Sequence, residues 1–455
     1  MDIRSSPIWN EVQEIAQNGP NNSTQQWAVE FLINGTVFKP YQLINIDFDK
    51  NPQKNIGVNV IIRVALDASI YMNHVVPNKA NMTATLYRYP RSETGGAVDD
   101  RPVYTETFKA MVIGGTDALM TPKVNMPGND TALSTMGFQN VDFQLAPPAI
   151  EQLRSFQTGG CYHGKSPGDT LKGIFTRALS GLKLDADREM TGVQMIPPDN
   201  KKIMDNMIIP DGVSLMDLAE FIQYKQGGIY NAGIEFFIMG NTVFIWPRYG
   251  LDRHNTNKKV LTVFNLPESS LPGAERTFID TPGHIKIIAT GGSSLGDATE
   301  NVALNEGNGV RFVDAAKLLD GGIKVLGGKM ITRRGETVNE FVDTLREDGM
   351  NIARFAKDMV TSNPYKPASK LSASKGVVLS LEWQNSDPNV LYPGMPVYFF
   401  VQRGSELVEK RGILIAEQHL IEPAGKRMKS THHTCTGGLT FFLSREDYSR
   451  VDLLG

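Results

Sequence analysis

Residues 159–166 read Gly159-Gly160-Cys161-Tyr162-His163-Gly164-Lys165-Ser166, a literal match to the phosphate-binding pattern G-x-x-x-x-G-K-[ST]. That chemistry needs a buried strand before the loop and a helix opening at its Lys-Ser, so that backbone N–H groups and the helix terminus face the phosphates. The sequence offers neither. Glu151 to Gln157 is polar and reads as helix, and Pro167-Gly168 delays the next helix to about Asp169, past the lysine and serine. No Mg²⁺-carboxylate strand follows; Val64-Ala65-Leu66-Asp67 has suitable letters but lies upstream. Residues 159–166 therefore read as a surface loop leading into a helix at Thr170, with Asp169 or Thr170 as its N-cap.

Metal chemistry is the second possibility. Cys161 and His163 form one pair, and His432, His433 and Cys435 cluster near the end. Zinc takes such ligands, but the spacings are short and irregular. These five read as ordinary strand or loop residues. There is no serine nucleophile elbow, no HExxH and no EF-hand loop. The carboxylates are too scattered to nominate a glycosidase pair. The sequence thus nominates no catalytic, cofactor-binding or metal-binding residue, and no cofactor is expected. Short basic runs at 257–259, 330–334 and 425–429 read as solvated loops.

The totals agree. The chain has 455 residues, 41% hydrophobic and 21% charged, enough for two to four domains with sizeable cores. Its net charge of −3 argues against nucleic-acid binding as the main task. Two cysteines imply no disulfide framework and fit a reducing compartment. The start lacks the apolar core of a signal peptide, and no apolar run approaches the ~18 residues of a membrane helix.

The elements that would position any site are mostly strands. Residues 56–66 alternate, with every even position aliphatic and the odd ones mostly small or polar: Val58, Val60, Ile62, Val64 and Leu66 belong on a buried face, Asn59 and Arg63 on the other. Trp27–Ile33, Tyr41–Asp49, Met82–Tyr89 and Tyr104–Ile113 join it in an antiparallel domain over 25–115, with a hairpin at Asn34-Gly35. Residues 1–24 read as an arm, and 116–147 as loop and linker with one short strand at Val141–Phe143. Residues 148–250 form an α+β module. It holds helices at Ala149–Phe156 and Thr170–Leu182, a capping box at Ser214–Asp217, and a hairpin about Gly240-Asn241. A linker over 251–274 precedes a second β-domain over 275–445, and 446–455 is a tail. One long helix, 336–361, interrupts that domain. Its seven-residue steps (Val338, Leu345, Ile352, Met359) suit an amphipathic helix on its own domain or one packed against symmetry mates.

Two segments carry a family resemblance. Leu391-Tyr392-Pro393-Gly394-Met395-Pro396-Val397-Tyr398-Phe399 leads into a hairpin with Gly412–Glu417, and Pro210–Phe221 places a helix before a hairpin. With the β, α+β, β layout of 25–445, these resemble the central baseplate hub proteins of contractile-tailed bacteriophages. The resemblance implies a mainly β fold with α+β, in which two tail-tube-like antiparallel β-barrel domains flank a mixed module. It implies a non-enzymatic virion protein of the tail baseplate, assembled in the host cytoplasm. It further implies a homotrimer between the tail tube protein above and the spike protein below, beside baseplate wedge proteins and around a DNA-passage channel. The helix at 336–361 departs from the pattern. Another tail tube, connector or wedge component is the alternative, and a nucleotide-binding enzyme using 159–166 a more distant one.

Overall fold

The computed structural model describes residues 8–22, 24–79, 81–89, 101–113, 137–184, 189–251, 259–266, 275–289, 293–297, 312–313, 323–326, 329–332, 337–338, 363, 365–403, 406–424 and 432–446. Its main sheet has 15 strands and runs through two hydrophobic cores, with a mixed unit packed beside it.

The first unit is built from β1 (Gln26–Ile33), β2 (Thr36–Phe38), β3 (Gln42–Lys50), β4 (Asn59–Asp67), β5 (Met82–Tyr89), β6 (Tyr104–Ile113) and β7 (Phe138–Ala146). Asn34 and Gly35 turn β1 into β2 with φ of 50° and 78°, the left-handed values a type I′ turn needs. In β4 the side chains of Val60, Ile62, Val64 and Leu66 are buried, and Val58 packs against the same core. On the opposite face Arg63 grips Asp142 of β7 at 2.7 and 3.0 Å, and Gln144 donates to Asn59 at 2.6 Å. β7 is thus nine residues long and lies between β4 and β6, where a linker with a short strand was expected. Its outward Asn140, Asp142 and Gln144 dilute the apolar signal that Val141, Phe143 and Leu145 carry on the buried face.

The strand order β3-β4-β7-β6-β5-β1 wraps one core, yet no ladder joins β1 to β3 among the described residues. The free edge of β3 is taken by a strand of the third unit instead. Among the described residues the unit is a wrapped sheet in which no hydrogen-bonded barrel closure is seen.

The middle unit holds α2 (Pro148–Arg154), β8 (Gln157–Lys165), α3 (Pro167–Ser180), β9 (Gly192–Met195), β10 (Met204–Ser214), α4 (Leu215–Lys225), β11 (Ile234–Met239) and β12 (Thr242–Pro247). Leu171, Phe175, Leu218, Ile222 and Ile245 fill its core. α4 begins as its sequence specifies. The Ser214 hydroxyl donates to the Asp217 carboxylate at 2.7 Å and accepts from the Asp217 amide at 3.3 Å.

The third unit contains β13 (Val260–Asn265), β14 (Phe278–Asp280), β15 (His284–Ala289), β16 (Ser293–Asp297), then four short strands, β17 (Phe312–Val313), β18 (Ile323–Leu326), β19 (Lys329–Thr332) and β20 (Thr337–Val338). After α5 (Tyr365–Ser374) come β21 (Gly376–Gln384), β22 (Pro396–Arg403), β23 (Glu406–Pro423) and β24 (His433–Ser444). β13 falls where a linker was expected. It pairs in parallel with both β15 and β22, so the unit is not purely antiparallel. The chain passes from β13 out to β14 at the sheet edge and folds back into β15, which gives β15 the direction of β13. At the head of the expected helix 336–361, Thr337-Val338 is strand, paired with Phe312-Val313. The rest of that span lies outside the described residues.

The segment expected to be an arm contains α1 (Trp9–Asn18). Ile8, Val12 and Ile15, spaced along one helical face, bury against Phe264, Ile288 and Phe400 of the third unit, and Glu14 pairs with Lys286 at 2.9 Å. The N-terminal helix is thereby packed on the third unit.

Candidate functional site

The phosphate-loop match does not form a loop. Residues 157–165 are strand β8, laddered antiparallel to β10, and Lys165 ends the strand opposite Met204. Helix α3 starts immediately afterwards, earlier than expected, because Pro167 suits the first helical position, where no N–H partner is needed. Its cap is Ser166, not Asp169 or Thr170: Ser166 Oγ accepts from the Asp169 amide at 3.2 Å and donates to the Asp169 carboxylate at 2.6 Å. The serine that would meet a metal–phosphate is spent on the helix.

The Cys/His pairs do not converge either. Cys161 and His163 are exposed on β8 in the middle unit, whereas His433 and Cys435 are buried on β24. Among the described residues no group of three or more His, Cys, Asp or Glu side chains is placed to hold a metal.

What the fold does assemble is a buried polar cluster at the seam between the first and third units. β23 is 18 residues long. Its first part, Glu406–Ile413, pairs with β22; its later part, Glu417–Ile421, pairs with β3. One strand therefore belongs to both units. Glu417 and His419 alternate onto its inward face, opposite Lys50 and Phe48. The Lys50 ammonium lies 2.5 Å from Glu417 and donates to the carbonyl of Leu391 at 2.9 Å and to that of Pro388. His419 Nε2 is 3.2 Å from Glu417, and its Nδ1 is 3.0 Å from Ser386 Oγ, which in turn lies 3.2 Å from Cys435 Sγ. Ser386 is held by a tight turn at Asn385, whose φ is 51°. A second ion pair, Arg88 with Asp387 at 2.6 Å, ties β5 to the same turn, and Gln25 donates to the Ser386 carbonyl at 3.0 Å.

Hydroxyl, imidazole and carboxylate thus stand in the order of a nucleophilic triad. Ser386 and His419 are both 0% exposed, and the hydroxyl is already engaged by Cys435. A nucleophile without surface cannot meet a substrate. Burial also pushes the Cys435 thiol up to about 12, which keeps it protonated. The physical role of the cluster is to fix the seam. Each buried charge has an opposite partner, as burial of ions requires, and removing either partner would strand the other.

The sequence reading missed this cluster, since Lys50, Ser386, Glu417 and Cys435 are far apart in the chain. One signal was available. In Glu417-Gln418-His419-Leu420-Ile421, a glutamate and a histidine occupy the positions that share the buried face with Ile421.

The middle unit joins the first at Gly57, which bridges to Ile238, with the Ile238 amide donating to the Ile56 carbonyl at 2.7 Å. It meets the third unit where Tyr249 packs on Phe442 of β24, ring centres 4.9 Å apart. Arg248, beside that contact, is held at 2.8 Å from the buried carboxylate of Glu235. A cavity of about 780 Å³ lies where all three units meet, walled by Val58, Thr107, Pro148, Met239 and Tyr392 among others.

No protein-family profile matches the chain, and no curated protein matches it. Among solved structures it is similar to the tail protein from Neisseria meningitidis MC58, at 10% identity and a TM-score of 0.44, covering 92% of this chain and 96% of that one. It is also similar to the 43 kDa tail protein of prophage MuSo2 from Shewanella oneidensis, at 8% identity and a TM-score of 0.43, over 91% and 96% of the two chains. A third is the E. coli c3393 protein, a component of the type VI secretion system, at 9% identity and a TM-score of 0.39, over 92% and 78%.

Proposed function

We propose that this chain is a structural subunit of a phage-tail or injection-type baseplate, a hub that joins a tube to a central spike. The reading starts from the sequence resemblance and rests chiefly on one observation: two β units are joined through β23 and two ion pairs into one continuous sheet wall. A catalytic protein exposes its reacting groups; here the triad-like arrangement at the seam is sealed and used as a joint. A wall with one apolar and one polar face per sheet suits a part that contacts neighbours and a lumen. In this role three copies form a ring, the first and third units alternate around a DNA-passage channel, and the partners are tube, spike and wedge proteins of the virion tail.

The mass of the native assembly, alone and mixed with candidate tube and spike proteins, tests the reading. A trimer that binds both supports it. A hexamer would move the chain to the tube itself. Nucleotide hydrolysis abolished by Lys165→Ala would overturn the structural reading.

A further inference from the structure

The outer surface of the seam carries a feature that the clamp beneath does not need. Across four neighbouring strands, Glu382 of β21, Gly438 of β24, Gln418 of β23 and Asp49 of β3 form a single row of register partners. The middle of the row has no side chain at Gly438, and the rims are acidic. The result is an open trough of about 600 Å³ lined also by Ser380, Thr440 and Asn51, with Lys54 as its one cation among the described residues. Among the described residues nothing crowds a side chain at 438. A Cβ there would meet only the Gln418 carbonyl oxygen, at 3.9 Å, and would otherwise point into the trough. Asp49 is half-buried, and burial raises its carboxyl above the usual range despite Lys54 nearby. A second cation would relieve it.

The same chain bears a matching projection. β8 and β10 pair only with each other, so the ribbon has two open edges. Its inner face, Met207 and Ile209, seals the middle core. Its outer face shows Ile208, 61% exposed, and Ile203 just before β10 is 66% exposed. Beside them stand Lys165, Lys201 and Lys202, all exposed and without an ion pair among the described residues. Exposed apolar side chains flanked by unpaired charge mark a protein-contact surface.

We propose that the basic end of the β8–β10 ribbon of one copy seats in the acidic trough of the next. The contact is heterologous, so it closes into a ring when the rotation between copies allows. The inference rests on the multi-copy assembly proposed above and names its contact. Lysines 165, 201 and 202 bring cations to Glu382 and add to the single nearby cation, Lys54, that Asp49 already has, and an isoleucine covers the bare strand at Gly438.

The test uses full-length chains in a Cys161→Ser background, in which the remaining thiol, Cys435, is buried. Lys202→Cys chains are mixed with Gly438→Cys chains under mild oxidation. The expected result is a covalent dimer, absent when Met72→Cys replaces Gly438→Cys. Separately, Lys201→Glu with Lys202→Glu should weaken self-association about a hundredfold, with recovery when mixed with Glu382→Lys chains. No cross-link, together with undiminished assembly of the charge-reversed chains, would overturn the contact while leaving the ring intact. A wild-type chain that remains monomeric would overturn the contact and the ring together.

Discussion

Lys50 and Glu417 face each other as register partners on β3 and β23, their charged atoms 2.5 Å apart and both side chains nearly inaccessible. They belong to different units, so this pair holds the seam rather than either core. Lys50→Met leaves the glutamate buried without its lysine, with only His419 beside it. The expected loss is roughly 3–5 kcal/mol, measured as a lower denaturant midpoint, with the first and third units losing their coupled unfolding. A Lys50→Met, Glu417→Leu double variant should recover most of it, since no charge is then stranded.

Glu235 gives a pH dependence. Burial, opposed by Arg248, pushes its carboxyl up to about 7, from 4.5. Because the folded value is the higher, its protonated form favours the folded state. That stability is fully present below about pH 4.5 and is lost as pH rises through 7. Between these limits the wild type should lose on the order of 1 to 3 kcal/mol relative to Glu235→Gln, whose profile lacks this contribution. Thermal unfolding of both chains across the window checks it; parallel profiles would contradict it.

The two thiols should separate cleanly. Cys161 is exposed and Cys435 is buried with its thiol held protonated. A thiol reagent at neutral pH should modify Cys161 in the native protein and reach Cys435 only on unfolding. Peptide mapping after a timed reaction distinguishes the sites.

Gly57 is where the first and middle units touch. A Cβ there would lie 2.2 Å from the Ile150 side chain and 3.0 Å from the Ile238 carbonyl oxygen. Gly57→Ala should therefore cost about 1–3 kcal/mol through overpacking. Hydrogen exchange should rise first along Ile56 and Ile238, whose backbone bond bridges the units.

Local physics made much of this fold legible in the sequence. The alternation of Val60, Ile62, Val64 and Leu66 fixed a strand and its buried face. Asn34-Gly35 fixed a hairpin, and Ser214 with Asp217 fixed a helix start. The failures were of four kinds. β8 is so rich in glycine that its pattern carries no period, and only its ladder with β10 makes it a strand. Pro167 was read as delaying a helix when at the first position it begins one. The seam cluster and the parallel placement of β13 depend on residues hundreds apart, which no window of sequence compares. α1 was the avoidable miss: Ile8, Val12 and Ile15 already describe one helical face.

β23 has a mechanical meaning. Its backbone runs unbroken through both units, and twelve residues of it, Gly412–Pro423, are flanked by β24 along their length. Hydrogen bonds in such a ladder lie across the strand. A pull along β23 loads them in shear, so many must fail at once, whereas a peeling force would open them singly. Tension or torsion delivered to one unit is therefore handed to the other by a covalent chain braced on its flanks, with Lys50–Glu417 resisting slip in the register. A joint of this kind transmits a stroke without absorbing it.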